Sequence, residues 1–164
     1  ALVDRDLPHD PPKGFRPIGS RDGFHMMMAQ FYGRMDGTDG LVLGFRVSPR
    51  HMNNHGSCHG GMLASFADFA AYAVRLAAEH HDLSIPTVSL STEYLRPVRK
   101  GDWVEARTQP TKRGRNLLFS RITATVVGTV VFTATGIFTV GPPDPGGLDI
   151  LATITADLDG LPSG

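Results

Sequence analysis

A single carboxylate, Asp68, lies in the middle of an apolar run over residues 62–76, which follows the tight sequence His59-Gly60-Gly61. An apolar run of this length predicts a helix that buries most of its surface. A charge on such a helix must be paired, hydrogen-bonded or used in chemistry, because an unpaired buried charge is strongly destabilising. The fold must therefore surround this helix, and Asp68 needs either a partner or a chemical role.

The remainder of the chain is dominated by patterns typical of strands. Leu43, Phe45 and Val47 alternate with small or polar residues, which indicates a half-buried strand before the helix. Four strand-like segments follow the helix, at residues 87–95, 103–109, 117–127 and 130–140. This order predicts an α+β fold, in which a curved antiparallel sheet wraps around one long central helix at residues 60–79.

The length of 164 residues suits one folded domain with its own core. Prolines cluster near the start of the chain and again after Gly141. We therefore expect an extended arm at residues 1–22, the folded domain at residues 23–140 and a tail at residues 141–164. Residues 24–32 are apolar and fit either a short helix or a strand.

The charge composition narrows the classes of partner. Lys plus Arg and Asp plus Glu each number 16, and this balance argues against a nucleic-acid platform or a polybasic membrane binder. The longest apolar run contains Asp68 and Arg75, so it is too short and too charged to span a bilayer. The single cysteine excludes an intrachain disulfide and favours a reducing compartment. We expect a cytoplasmic protein without nucleic-acid or membrane partners.

One stripe of the predicted helix differs from its other faces. On a helical wheel the stripe consists of small and polar residues, namely Gly61, Ala64, Ser65, Asp68, Tyr72 and Arg75. Small residues beside a carboxylate leave room for a second subunit, a ligand or both. Tyr72 lies one helical turn from Asp68 and can donate a hydrogen bond to it. These residues alone leave two interpretations open, a structurally satisfied carboxylate and a catalytic one.

A longer pattern around the helix start has the form Asn53-x5-His59-Gly60-Gly61-x6-Asp68. It resembles the signature of the hotdog-fold acyl-CoA thioesterases, in particular their phenylacetate-pathway (PaaI-like) branch. Residues 87–97 resemble the second strand of that branch, and the resemblance as a whole covers residues 41–140. It implies a long helix wrapped by a curved sheet, assembly into dimers or dimers of dimers, and active sites at the subunit boundary.

The resemblance also implies an activity, the hydrolysis of an aromatic or medium-chain acyl-CoA to the free acid and CoA. Asp68 would be the nucleophile or the general base, and the Gly60 N–H would bind the thioester oxygen. Asn53 and His59 would be orienting residues, and the Thr87 hydroxyl would hold the attacking water from across the dimer. Plainer roles stay open for each of them: an Asx turn, a structural histidine, a helix-start glycine and an ordinary strand threonine.

Further substrate contacts are expected on the helix stripe, on the strand after the helix and in one loop. They are Gly61, Ser65, Tyr72, Ser89, Arg113 and Arg115. Ser89 and Ser91 are expected to share a strand face with Thr87, because side chains alternate along a strand. The two arginines suit the phosphates of CoA, and a solvated hairpin tip accounts for them equally well.

A metal site and a cysteine nucleophile are both disfavoured. His51, His55 and His59 are spaced by four, which on a helix would form a metal-binding face. The asparagines and the glycine between them make a poor helix, so we expect no metal. Cys58 is an unfavourable nucleophile beside His59, because adjacent residues seldom face each other. No cofactor is expected other than CoA as part of the substrate.

Two other function classes remain open. A non-catalytic acyl-CoA-binding or regulatory protein of the same fold would keep the pocket and lack turnover. Asp68 argues against this class, because a pure binder gains nothing from a carboxylate near a thioester. A hydratase acting on an enoyl-CoA would need an Asp–His pair on the loop before the helix, whereas the acid lies inside the helix here.

Overall fold

The computed structural model describes residues 10–18, 23–37, 40–70, 73–74 and 83–143. In chain order its elements are β1 (Arg16–Ile18), α1 (Phe24–Met28), β2 (Phe31–Asp36), β3 (Gly40–Arg46), a 3-10 turn (Pro49–His51), α2 (Gly60–Ala70), β4 (Thr87–Tyr94), β5 (Trp103–Arg113), β6 (Leu117–Val126) and β7 (Thr129–Thr139). The predicted α+β hotdog fold, a curved antiparallel sheet with one central helix, is confirmed.

The strands form one antiparallel sheet in the order β1-β2-β3-β5-β6-β7-β4. The chain leaves β3 in the middle of the sheet, passes through α2, and returns as β4 at the far edge beside β7. In the described part of the chain, β4 is paired on one side only. This edge carries exposed apolar side chains, of which Val88 is 59% and Tyr94 is 52% exposed.

The large apolar face of α2 packs on the inner face of the sheet. Phe66 and Phe69 are each 1% exposed. The ring of Phe69 stacks on Phe31 with 4.4 Å between centroids, and Phe66 meets Phe45 edge-on at 4.7 Å. Removing one such ring costs about 3–5 kcal/mol in a well-packed core. These contacts fix the rotation of α2 and thereby the direction of its polar stripe.

The N-terminal segment contributes to the sheet. β1 pairs antiparallel with β2, and Phe15 is buried edge-on against Trp103 with 5.0 Å between ring centroids. The described part of the expected arm is thus extended but belongs to the sheet, because Phe15 and Ile18 bury apolar side chains there. Most of the expected tail lies outside the described residues.

Several element boundaries differ from the sequence prediction. Of the helix predicted at residues 60–79 the structure describes α2 to Ala70, and most of residues 71–79 lie outside the described residues. Residues 24–32, for which a helix and a strand were both open, contain both, since α1 ends at Met28 and β2 begins at Phe31. The strand predicted at residues 103–109 continues to Arg113, because a register shift in its pairing with β6 accommodates Pro110. Within the described ranges, neither helix has the length and apolar character that a bilayer crossing requires.

Candidate active site

Asp68 is hydrogen-bonded by the first residue of β4. The Thr87 hydroxyl donates to Asp68 Oδ1 over 2.6 Å. Both residues belong to one protomer, so Thr87 contacts the carboxylate of its own chain. Asp68 therefore has a hydroxyl partner, and it remains only partly buried.

A β-bulge explains how Thr87 reaches the helix. The pairing of β4 with β7 shifts by one residue between Thr87 and Ser89. Beyond the bulge, Leu90 packs against the core and Tyr94 contacts the start of α2, so these two residues face the helix. Because side chains alternate, Ser89 and Ser91 face the other side of the sheet. The expectation that Ser89 shares the face of Thr87 is therefore wrong, and the reason for a substrate contact at Ser89 is lost with it.

His59 caps the start of α2. Its Nδ1 accepts a hydrogen bond from the Gly61 N–H over 2.9 Å, and its carbonyl accepts from the Met62 N–H over 2.9 Å. A Cβ at position 61 would lie 3.0 Å from His59 Nδ1, so the glycine leaves room for this cap. The Gly60 N–H donates to no group among the described residues. It remains available at the positive end of the helix dipole.

Tyr94 is a site residue that the sequence reasoning missed. Its hydroxyl donates to the Gly60 carbonyl over 3.2 Å. A Cβ on residue 60 would lie 3.0 Å from the nearest ring carbon of Tyr94. The glycine at position 60 thus makes room for the tyrosine ring. Strand alternation from Leu90 is the sequence signal that could have placed Tyr94 on the inner face.

Asn53 closes its own loop. Its Oδ1 accepts from the N–H groups of His55 and Ser57 over 2.9 and 3.1 Å, and its Nδ2 donates to Ser57 Oγ over 3.0 Å. This is the Asx turn that the sequence left open as the plainer role. The amide nitrogen carries a second N–H, which is the one part of this side chain left for a carbonyl oxygen.

The α1–α2 groove is an open cavity of about 380 Å³ beside the polar stripe. It is lined by Phe24, Met27, Met28, Arg50, His51, His59, Gly61, Met62 and Ser65. Two expected substrate contacts, Gly61 and Ser65, therefore lie in a cavity, and the Ser65 hydroxyl donates to the Gly61 carbonyl over 2.8 Å. The walls are mostly apolar, with methionines from both helices.

The other expected contacts are more distant or not described. Tyr72 lies outside the described residues. Arg113 and Arg115 are exposed at the β5–β6 hairpin. Strand pairing through Leu118 and Phe138 places Arg113 at the same end of the sheet as Thr87. Three strand spacings separate the two, which is about 14 Å. Arg113 thus lies at the same end of the sheet as Thr87 but does not contact it.

His25 is a second residue that the sequence reasoning missed. It lies on α1 and packs edge-on against Phe69, with 4.8 Å between ring centroids. Burial lowers the pKa of His25 below its usual 6.5, and the negative charge of Asp68 partly opposes this shift. The imidazole is therefore mainly neutral near pH 7 and sits within electrostatic reach of the carboxylate.

This lowered pKa predicts a pH dependence of stability. Just below pH 6.5 the unfolded chain binds a proton at residue 25 more readily than the folded chain does. The free energy of unfolding should therefore fall as the pH drops below 6.5 and level off below the folded-state pKa. Urea midpoints measured across this range should fall less in His25→Gln than in the parent. Equal losses in both proteins would contradict the assignment.

The histidines and Cys58 have structural roles. His51 is buried, accepts from the Ser48 N–H through Nδ1 over 3.0 Å, and contacts the Met28 carbonyl through Nε2 at 2.7 Å. Among the described residues, no three His, Cys, Asp or Glu side chains come together as a metal site requires. Burial raises the pKa of the Cys58 thiol to about 12, which keeps it protonated near neutral pH.

Cys58 should therefore be dispensable for chemistry. We expect Cys58→Ala to retain kcat within about twofold, with a stability loss of about 1 kcal/mol from the smaller buried side chain. Iodoacetamide should likewise leave the native enzyme active, because alkylation requires the thiolate. Loss of activity upon alkylation of the folded protein would restore Cys58 as a candidate nucleophile.

Comparison with known proteins agrees with this geometry. Residues 55–132, which include α2, match the thioesterase superfamily. The Pseudomonas aeruginosa protein PA0474, which carries the name of an esterase, is 30% identical over 128 residues, covering 77% of this chain and 95% of that protein. The phenylacetic acid degradation protein PaaI of Thermus thermophilus, solved as a single-residue mutant, is 26% identical. That structure superposes with a TM-score of 0.60, covering 70% of this chain and 96% of PaaI.

A further solved structure supports the fold alone. A hypothetical thioesterase of Streptococcus pneumoniae TIGR4, solved with coenzyme A, is 20% identical, with a TM-score of 0.62 over 79% of this chain and 97% of that one. Family, fold and helix signature point the same way. The chain belongs to the thioesterase superfamily and, with its hotdog fold, to the PaaI-like branch of thioester hydrolases.

Proposed function

We propose that the protein hydrolyses acyl-CoA thioesters to a free acid and CoA, with Asp68 as the general base. The observation that carries this proposal is the 2.6 Å hydrogen bond from Thr87 Oγ1 to Asp68 Oδ1. The threonine proton is committed to the carboxylate, so its hydroxyl oxygen can accept a hydrogen bond from a water. A water held between this oxygen and the carboxylate is placed for deprotonation.

The oxyanion site in this proposal is the Gly60 N–H at the start of α2. The amide points away from the helix, where the dipole favours a developing negative charge. Tyr94 and the His59 cap hold this first turn from two sides. Their role is positioning, since each acts on the turn and not on the thioester itself.

One protomer does not complete this site. Gly60 and Asp68 are eight residues apart on one helix, which corresponds to about 12 Å along its axis. A water attacking a carbonyl carbon lies about 3 Å from it, so both groups of one chain cannot serve one thioester. We propose that two copies pair with their helices antiparallel, so that Gly60 of one copy faces Asp68 of the other. The two copies join along the edge of β4 that has no strand partner among the described residues.

The first experiment measures thiol release from a panel of acetyl-, hexanoyl-, decanoyl- and phenylacetyl-CoA. Proteins of the same fold accommodate CoA, as the S. pneumoniae structure shows for that protein. We expect at least one member of the panel to be hydrolysed with a kcat/KM above about 10⁴ M⁻¹s⁻¹. If none of the four thioesters is hydrolysed by correctly folded protein, the acyl-CoA assignment fails.

The chemistry at Asp68 can be read from one turnover. With enzyme in excess over substrate and heavy-oxygen water as solvent, a general base places the label in the product acid in the first turnover. A nucleophilic Asp68 would instead expel CoA and form a mixed anhydride, and water that opens this anhydride at the Asp68 carbonyl leaves an unlabelled Asp68 oxygen in that first product. Mass spectrometry of the acid detects this route, and an unlabelled first product would overturn the general-base assignment.

Subunit complementation tests the shared site. Neither Asp68→Asn nor Gly60→Pro alone should have appreciable activity. In a dimer that contains one subunit of each, one of the two sites keeps both native groups. Refolding an equal mixture of the two should therefore restore about a quarter of the parent activity, because half of the dimers are mixed. A mixture as inactive as its components would contradict a site built from both chains.

A further inference from the structure

We propose that the α1–α2 groove binds the acyl group of the thioester and that the side chains of α1 set which acyl groups are accepted. This inference rests on the proposed function and assigns the substrate-selecting part of the same site. It is carried by the position of the groove beside the reactive groups, by the chemistry of its walls and by the exposure of α1.

The α1–α2 groove lies beside the reactive groups of α2. β4 contacts α2 through Tyr94 at Gly60 and through Thr87 at Asp68. α1 lies along the other side of the stripe, where His25 packs on Phe69 and the groove includes Met62. The stripe between these two walls is open, with Gly61 exposed and Ser65 partly exposed. The groove begins at Gly61, the residue after Gly60. A thioester whose carbonyl accepts from the Gly60 N–H therefore lies next to the groove.

The walls of the groove are rich in large apolar side chains. Four of the nine lining residues are large and apolar, namely Phe24, Met27, Met28 and Met62. Phe24 is 56% and Met27 is 69% exposed, so α1 presents two large apolar side chains to solvent beside the groove. Exposed apolar walls around a concavity are typical of a ligand site. Methionine side chains adapt to ligands of irregular shape. Such walls suit a flexible apolar acyl group better than a rigid polar ligand.

The polar groups of the groove suit the acyl group of the substrate better than its CoA half. The pantetheine arm of CoA carries two amides that need hydrogen-bond partners when they are buried. The polar atoms along the groove are largely engaged within the protein: both ring nitrogens of His51, Nδ1 of His59 and the Ser65 hydroxyl proton. An acyl chain needs no such partners. The groove therefore fits the acyl group and leaves the pantetheine arm outside it.

The volume of the groove limits the acyl groups that it can hold. A cavity of about 380 Å³ lies at the lower end of the range for small-molecule sites. This volume suits a medium-chain or aryl acyl group, and it is larger than an acetyl group needs. Met27 is the most exposed of the lining methionines, so a larger side chain at this position can fill the groove without disturbing the core.

The test uses binding rather than turnover. The probes are the methyl, hexyl and decyl thioethers of CoA, which lack the thioester carbonyl and so cannot be cleaved by thioester hydrolysis. Isothermal titration should show affinity rising from methyl to decyl in the parent protein. In Met27→Trp the hexyl and decyl thioethers should bind about tenfold more weakly, while the methyl thioether changes less than about twofold. The matched control is Leu117→Trp, an exposed leucine at the start of β6 and outside the groove lining, which should keep the parent dependence of affinity on alkyl length.

Each outcome is decisive. Affinity that does not depend on alkyl length in the parent, or an equal loss for all three thioethers in Met27→Trp, overturns the proposal. The same loss in Leu117→Trp would also overturn it. If Met27→Trp does not fold, Met27→Ala serves instead, and it should flatten the rise of affinity with alkyl length. Length-dependent binding without hydrolysis of any acyl-CoA would leave the groove assignment standing and refute the proposed hydrolysis.

Discussion

Replacing Asp68 by Asn is expected to lower kcat for acyl-CoA hydrolysis by about 1,000-fold while KM changes little. The amide has nearly the shape of the carboxylate, and its oxygen can still accept the hydrogen bond from Thr87. The amide cannot take a proton from water, so the rate of the chemical step falls while substrate binding is retained. Thiol release under saturating substrate, together with gel filtration to check assembly, measures the effect.

Two variants on β4 test whether the effect of Asp68→Asn comes from the water held by Thr87. Thr87→Val removes the hydroxyl that places the water and leaves the carboxylate, so kcat should fall by about 10- to 100-fold. Ser91→Ala alters the opposite face of the strand and should match the parent. Asp68→Asn with the kcat of the parent would refute the mechanism, as would a Ser91→Ala loss comparable to that of Thr87→Val.

Replacing Gly60 by Pro should lower kcat by about 100- to 1,000-fold, because proline removes the N–H assigned to the oxyanion. Proline is well tolerated at the first position of a helix, where the amide has no partner within the helix. Both Pro and Ala add a Cβ that meets the Tyr94 ring at 3.0 Å. Gly60→Ala is therefore the matched control, since it creates the same steric conflict and keeps the N–H.

The difference between the two variants isolates the amide. We expect Gly60→Ala to retain activity within about tenfold of the parent, and Tyr94→Leu in the Gly60→Ala background to recover part of that loss by relieving the contact. Equal activity of Gly60→Pro and Gly60→Ala would show that the amide does not contact the reacting oxygen. Thermal unfolding of each variant distinguishes a loss of chemistry from a loss of fold.

The fold follows from local patterns in the sequence. The apolar run, its entry through His59-Gly60-Gly61, and the alternating segments after it predict the helix and the strands β4 to β7. The helix stripe with Ser65 and Asp68 was also predictable, because it depends only on helical periodicity. Family membership then favours thioester hydrolysis over the binding protein left open by the residues, and the position of Asp68 within α2 disfavours a hydratase.

Other features of the site depend on contacts that no local pattern encodes. The bulge between Thr87 and Ser89 reverses which side chains face the helix, and neither residue type signals a bulge. His25 and Tyr94 come close to α2 only through tertiary packing. The Asx turn of Asn53, by contrast, was within reach of the sequence, because an asparagine in a loop commonly accepts from the backbone N–H two residues on, which here is that of His55.

The half-paired β4 edge has a consequence for handling the protein. Among the described residues β4 has no strand partner on its outer edge, and with Val88 and Tyr94 exposed it is a template on which an extended chain can add. A protomer separated from its copies by dilution or during synthesis would present this template to its neighbours. Aggregation should therefore compete with correct pairing, and the yield of active enzyme on refolding should pass through a maximum as the chain concentration is raised.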